Sequence, residues 1–377
     1  MKYYPVSEPS FIGNEKKYLQ QCIDEGWISS EGPFVDQFEK KYSKAVNRKH
    51  GIAVSSGSAA LDIAIKAIGI GAGDEVIMPA FTIISCASPI VRAGATPVLV
   101  DCDQSTYNMD VSQIERMITN KTKAILLVHI YGITANVDEV LALAKKHGLR
   151  LVEDAAEMHG QVYKSRPCGS FGDISITSFY ANKLVTSGEG GMLMTDDDAL
   201  ANTARKLRNL YFDNAKRFIH DELGWNYRMT NLQAAVGLAQ LEKMDEFAKI
   251  KRRIGEYYLK ELEGVDGIQL PVYQNEYCKN IFWVFPLLLN KSYLGTAVEF
   301  AKLLQAKGVG TRPFFWPMHK QPVFLKMGFF KDEVHPISEY ISEYGLYIPC
   351  SVSLLESDVI EISNRIKMVV SELKDKL

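Results

Sequence analysis

The sequence predicts an α/β protein built on a mainly parallel sheet flanked by helices, followed by a smaller α/β unit. Two observations carry this expectation. From about residue 50, short β-branched apolar runs alternate with longer amphipathic ones, the pattern of successive β-α units. From 230 to about 263 one long helical pattern interrupts the alternation, and a shorter α/β pattern follows it. A length of 377 residues fits two domains at about 100–200 residues each, and 47% hydrophobic residues suffice for at least one large core.

The elements follow in order. Segments 14–24 and 34–46 are amphipathic and precede the first core strand. Strands are expected at 51–54 (GIAV), 75–78 (EVIM), 96–100 (TPVLV), 123–128 (KAILLV), 149–152 (LRLV), 174–178 (ISITS) and 191–195 (GMLMT). Helices are expected between them at 58–69, 84–93, 137–147 and 197–210. The 230–263 helix connects to strands near 281–288 and 346–349 and to helices near 295–307 and 355–375. The expected division is a large domain over 1–245 and a small one over 246–377.

Charge and targeting exclude several classes. Lys+Arg 43 against Asp+Glu 45 leaves a formal charge of −2, and no dense Lys/Arg cluster suggests nucleic acid or an anionic membrane surface. The opening MKYYPVSEPSF lacks the apolar stretch of a secretion signal, and no run approaches the ~18 apolar residues of a membrane span. A soluble cytoplasmic protein is expected. The cysteines at 22, 86, 102, 168, 278 and 350 show no C-x-x-C or His/Cys ligand spacing, so neither a metal site nor a disulfide framework is expected.

In open α/β sheets ligands bind at the carboxyl ends of strands, which here carry Asp101, His129 and Glu153-Asp154. Three elements stand out. In 172–191 (GDISITSFYANKLVTSGEGG) a strand runs into Ser178-Phe-Tyr-Ala-Asn182-Lys183, and a Gly-rich turn leads into the next strand. An amine held out of water there has the character of a Schiff-base lysine, although a surface loop is the ordinary place for a lysine. Asp154 ends a buried-type strand and could hold a pyridine nitrogen protonated, or could cap a helix. Val54-Ser55-Ser56-Gly57-Ser58 turns a strand into a helix, where Gly57 allows close approach and Ser58 with the free N–H groups suits phosphate; a plain N-cap is the alternative. The segment matches neither a Walker lysine motif nor G-x-G-x-x-G. Jointly the three supply a phosphate cradle, a ring-nitrogen carboxylate and an imine lysine, in the chain order of fold-type I pyridoxal phosphate enzymes.

Seven stretches extend the comparison over nearly the whole chain: 26–39 (GWISSEGPFVDQFE), 73–82 (GDEVIMPAFT), 95–101 (ATPVLVD), 152–157 (VEDAAE), 172–191, 224–242 (GWNYRMTNLQAAVGLAQLE) and 311–319 (TRPFFWPMH). They resemble the DegT/DnrJ/EryC1/StrS family of sugar aminotransferases. The resemblance implies that Lys183 is the cofactor-bound lysine and proton shuttle, that Asp154 pairs with the pyridine nitrogen, and that Glu157 sits near the ring hydroxyl, where many relatives have Gln. It implies phosphate contacts from Gly57, Ser58 and Ser178, and from Asn226 across a homodimer interface. Relatives that act as dehydratases carry His at the lysine position, so Lys183 favours amino transfer. Relatives also place an aromatic ring over the cofactor where this chain has Ile83, leaving Ile83 itself or Phe81 to cover that face.

The implied reaction takes an amino group from L-glutamate, passes through pyridoxamine phosphate, and delivers it to a nucleotide-linked sugar ketone. The 26–39, 224–242 and 311–319 stretches look most like relatives that aminate C4 of 4-keto-6-deoxyhexoses for surface polysaccharides such as O-antigen, GDP-perosamine synthases among them. UDP- or dTDP-4-ketosugars, a keto sugar acid, or a non-transaminase reaction are the alternatives. Arg312 and His319 are candidate substrate contacts, and Arg228 a candidate for a diphosphate or donor carboxylate. His159 is expected in packing, with cofactor contact as the alternative, and Trp225, Trp283 and Trp316 are expected in the core or an interface.

Overall fold

A computed structural model describes residues 2–212, 218–290 and 294–375. Helices α1 (Glu15–Asp24) and α2 (Pro33–Ala45) precede the main sheet. The sheet contains β1 (His50–Val54), β2 (Glu75–Pro79), β3 (Thr96–Val100), β4 (Thr122–Val128) and β5 (Arg150–Asp154), followed by a two-residue hairpin of β6 (Val162–Tyr163) and β7 (Arg166–Pro167) outside it, then β8 (Ile174–Ser178) and β9 (Gly191–Thr195). Its order is β1-β9-β8-β5-β4-β2-β3. Every expected core strand lies within two residues of its expected bounds, because each is a short apolar run closed by turn residues. Helices α3 (Gly57–Ala67), α4 (Ile84–Arg92), α5 (Val137–His147) and α6 (Asp198–Arg208) occupy the expected connections.

The pairings from β8 through β5, β4 and β2 to β3 are parallel, and β9 runs antiparallel between β8 and β1. All strands except β9 therefore point one way. The carboxyl ends of β1, β4, β5 and β8 share one edge, which is where the expected site residues sit.

The single helix expected over 230–263 is two helices, α7 (Asn231–Leu241) and α8 (Met244–Leu262). Their burial differs. Ala234, Ala235, Leu238 and Ala239 of α7 are buried between α1 and α2, whereas α8 is amphipathic and packs on α12. One straight axis cannot serve both faces, and Asp245-Glu246 make a favourable first turn for a new helix. Residues 281–284, expected as strand, are buried but irregular, and Phe282 has φ +52°. An apolar run of that length does not distinguish a strand from a buried loop.

The second sheet is antiparallel in the order β10-β11-β13-β12, from β10 (Ile268–Gln269), β11 (Phe285–Leu289), β12 (Arg312–Pro313) and β13 (Gly345–Ile348). Around it lie α9 (Ala297–Ala306), α10 (Pro322–Lys326), α11 (Pro336–Tyr344) and α12 (Glu356–Lys374). Asp101, just past β3, ties this part to the main sheet. Its carboxylate accepts from Ile337 N at 3.0 Å, Ser338 N at 2.9 Å and Ser338 Oγ at 2.6 Å, capping α11.

Gly255 brings α8 against Phe282, whose neighbour Trp283 faces the site. A Cβ at 255 would overlap the fully buried Phe282 ring, which has nowhere to move. Gly255→Ala is expected to lower unfolding free energy by about 1–3 kcal/mol despite the better helix propensity of Ala. Urea denaturation measures this, and a variant as stable as the parent contradicts the packing.

All six cysteines are buried free thiols. Among the described residues, no helix is long and apolar enough to cross a membrane.

Candidate active site

A cavity of about 420 Å³ opens at the shared strand edge. One wall is the start of α3. Ser56 is its N-cap, the side chain accepting from Ala59 N at 3.1 Å, so the capping role falls on Ser56 and not on Ser58. The first-turn N–H groups of Gly57 and Ser58 have no intrahelical partner, and the helix dipole favours an anion in front of them. A Cβ on Gly57 would lie 2.9 Å from Ser178 Cβ, and a Cβ on Gly191 would strike Ser56 and Gly57. These two missing side chains let the helix start cross β9 and rest on the end of β8. Ser58 Oγ donates to Ser85 Oγ at 2.8 Å.

Asp154 and Glu157 form the floor. Asp154 accepts from Ala156 N at 3.0 Å and from Cys86 Sγ at 3.4 Å, and no helix starts there. Burial raises its carboxyl above the usual range, while Ala156 N and the Lys183 charge oppose that rise. Glu157 accepts from Tyr131 N at 2.7 Å. Burial pushes its carboxyl up to about 7, although Lys183 pulls the other way.

Lys183 lies inside the cavity, with a side chain 12% exposed and Nζ 3.6 Å from Glu157 Oε1. The turn Tyr180–Lys183 positions it, Lys183 N donating to Tyr180 O at 2.9 Å. Its ammonium lies 3.9 Å from the ring centroid of Trp283, whose Nε1 donates to Asn182 O at 3.0 Å. Trp283 is buried in the core, as expected, and also lines the site. Trp225 stacks on Tyr227, and Trp316 is exposed.

The structure brings Gly57, Ser58, Asp154, Glu157, Ser178, Lys183 and Arg312 to this cavity. Arg312 also borders a second cavity of about 340 Å³, reached past Tyr180, Asn182 and Tyr347. Of the two residues considered for the ring face, Ile83 lines the cavity, while Phe81 is fully buried among Tyr131, Phe314 and Phe315.

Other candidates lie elsewhere. Asn226 is exposed and bridged to Asn209, and Arg228 donates to the Asn209 side chain, both outside the cavity of one chain. His319 is buried away from it, with Nε2 2.9 Å from Glu339 Oε1. His159 packs behind the site against Phe179, with Nε2 2.8 Å from Thr177 Oγ1, and burial drives its imidazole down to about 3.

The residues that local reasoning missed are Thr82, Ser85, Trp283 and Tyr347. Burial pushes the Tyr347 phenol up to about 12. Only Thr82 carried a signal, as the end of the PAFT segment.

Among the described residues one trio, His129, Glu153 and Cys168, brings metal-ligand atoms within 4.8 Å of one another. Glu153 already accepts from Gly169 N at 2.7 Å and Phe171 N at 2.8 Å, and burial holds the Cys168 thiol protonated. Glu153 thereby secures the 168–171 loop to β5.

Comparison with known proteins adds the following. A family model described as the DegT/DnrJ/EryC1/StrS aminotransferase family matches residues 9–367. GDP-perosamine synthase of Escherichia coli O157:H7 is 40% identical over 378 residues, covering 99% of this chain and all of its own length. GDP-perosamine synthase of Caulobacter vibrioides is 40% identical over 354 residues, covering 94% of this chain and 95% of its own length. The crystal structure of DesV from S. venezuelae, in complex with a ketimine intermediate, superimposes with a TM-score of 0.91 at 28% identity, covering 98% of this chain and 99% of that one.

Proposed function

The chain belongs to the DegT/DnrJ/EryC1/StrS aminotransferase family, and from that premise we propose that it moves an amino group from L-glutamate to the 4-keto group of a nucleotide-linked 4-keto-6-deoxyhexose. It is a pyridoxal phosphate-dependent enzyme, with pyridoxamine phosphate between its two half-reactions. The observation that carries the reading is the Lys183 amine between Glu157 and Trp283, inside a cavity that Asp154 also lines. When bound, the cofactor supplies an electron sink for the carbanion formed at the amino-bearing carbon.

The donor set fits such a group. The close approach of Gly57 to Ser178, which a Cβ would prevent, brings the free N–H groups of the α3 start and the Ser58 and Ser178 hydroxyls to one wall of the cavity, a polarity that suits a phosphate. The buried side-chain amide oxygen of Asn182, Oδ1, has no partner among the described residues. Gly57, Ser58 and Ser178 would hold the phosphate, and the Asp154 carboxylate would accept from the protonated ring nitrogen. Lys183 would be the amine that anchors the cofactor and the group that holds and moves the proton at its Nζ. Glu157 offers its carboxyl to the ring hydroxyl and compensates the Lys183 charge. Trp283 and Tyr347 narrow the cavity against water, and Ile83, which lines it, would cover the ring face that the family resemblance assigns to an aromatic.

Asn226 is assigned to the phosphate of a second copy and Arg228 to an anion beside it, which makes the working unit a homodimer. Their positions outside the cavity of one chain suit that assignment. Arg312, between the two cavities, is assigned to substrate. His319 has no contact in the structure that supports a substrate role. The large domain 1–245 carries the cofactor residues, and the small domain 246–377 contributes Trp283, Arg312 and Tyr347. The product serves polysaccharide or glycoconjugate synthesis in the cytoplasm.

The test is a panel of GDP-, UDP- and dTDP-4-keto-6-deoxysugars with glutamate, scored by product mass. Amination of the GDP sugar is expected. Turnover of the UDP or dTDP sugar instead moves the nucleotide assignment, and no turnover of any member overturns amino transfer to 4-ketosugars.

A further inference from the structure

Cys86 lies in the first turn of α4, fully buried, and touches two polar groups. Its Sγ is 3.4 Å from Asp154 Oδ2 and 3.3 Å from Thr82 Oγ1. An ionised carboxylate only accepts, so the single thiol hydrogen goes to Asp154. The Thr82 hydroxyl must then donate to the sulfur, which leaves its lone pairs toward the cavity it lines. Burial holds the thiol well above its ordinary range, so it remains a donor throughout the working pH range. The other Asp154 oxygen is fixed by Ala156 N. Two donors from different elements thus set the plane of one buried carboxylate.

We propose that Cys86 is a positioning residue: with Thr82 behind it, its S–H holds the Asp154 carboxylate in the orientation and charge state that meets the cofactor ring nitrogen. The proposal rests on the assignment of Asp154 made above. Nothing in the local sequence marks Cys86, which stands four residues after Thr82 on a helix and meets Asp154 only through the packing of α4 on the sheet. The thiol also weakens the carboxylate as a base, which keeps the shared proton on the ring.

The test uses holoenzyme and reads two properties other than turnover: the pH titration of the cofactor's visible absorbance and the rate at which cofactor leaves. Cys86→Ala is expected to shift the titration and speed release about tenfold, the low end for one lost donor to a charged group because a thiol donates weakly. Cys86→Ser keeps a donor and is expected within about twofold of the parent, and Thr82→Val falls between the two. In an Asp154→Asn background, Cys86→Ala is expected to change neither property.

A Cys86→Ala holoenzyme with parental titration and release overturns the proposal. So does an equal loss in the Ser variant at parental thermal stability, or an undiminished Cys86→Ala effect in the Asp154→Asn background. Asp154→Asn alone behaving as the parent is a different failure. It removes the assignment of Asp154 itself, and the Cys86 proposal with it.

Discussion

Lys183→Ala is expected to abolish amino transfer, lowering kcat by at least about 10⁴-fold, because one substitution removes both the covalent anchor and the proton carrier. The variant should also lose the visible absorbance of the lysine-linked cofactor while still binding it through the phosphate cradle and Asp154. Folding is expected to survive. Among the described residues the ammonium has no polar contact closer than its 3.6 Å approach to Glu157, and its loss lets that carboxyl stay protonated at neutral pH. Single-turnover kinetics with the amino donor and an absorbance scan check both effects. Retained turnover with an unchanged spectrum would sink the assignment of Lys183.

Glu157→Gln is expected to flatten the pH dependence of stability in the cofactor-free protein. The Glu157 carboxyl is raised from 4.5 to about 7 in the folded chain by burial. A raised folded value means the native state binds the proton more tightly than the unfolded one. Stability from this group is therefore full below pH 4.5 and is lost as pH rises through about 7. The two values correspond to about 3 kcal/mol, undiscounted for solvent because the side chain is buried. Gln keeps an acceptor for Tyr131 N and cannot ionise. Urea denaturation at pH 5 and pH 8 should show the parent losing about 2.5 kcal/mol relative to Glu157→Gln, the part of the difference that falls between those two pH values. Parallel stability curves for the two proteins would show that Glu157 titrates normally.

Much of the architecture was legible in the sequence for a simple reason. The core strands are buried on both faces, so they appear as short continuous apolar runs, and the parallel order follows from the helical runs between them. The helix break at Glu242-Lys243 was not legible, because both flanking segments keep helical periodicity and only their different partners force a change of axis. Phe282-Trp283 misled for a related reason: a buried loop and a buried strand share a composition.

At the site, Lys183, Asp154 and the Gly57 turn were legible because each sits at a strand end, where position along the chain fixes position in space. Trp283 and Tyr347 were not, since each reaches the cavity from an element far away in sequence, and neither was Cys86, which meets Asp154 only through the packing of α4 on the sheet. Asp101 marks the opposite case. It ends a strand as the others do, yet its carboxylate is spent on capping α11, so a strand-end acid alone does not distinguish a binding group from a structural one.

The crossing of the α3 start over β9 turns the sheet into a gauge. Ser178 ends β8 and Asp154 ends β5, and these strands are adjacent, about 4.8 Å apart. On the roles proposed for Ser178 and Asp154, with the helix seated on Ser178 through Gly57 and Gly191, the phosphate anchor and the ring-nitrogen partner would belong to neighbouring strands of one hydrogen-bonded lattice. Their separation would then be as stiff as the sheet itself, a rigid backbone standard for the length of a molecule held between them.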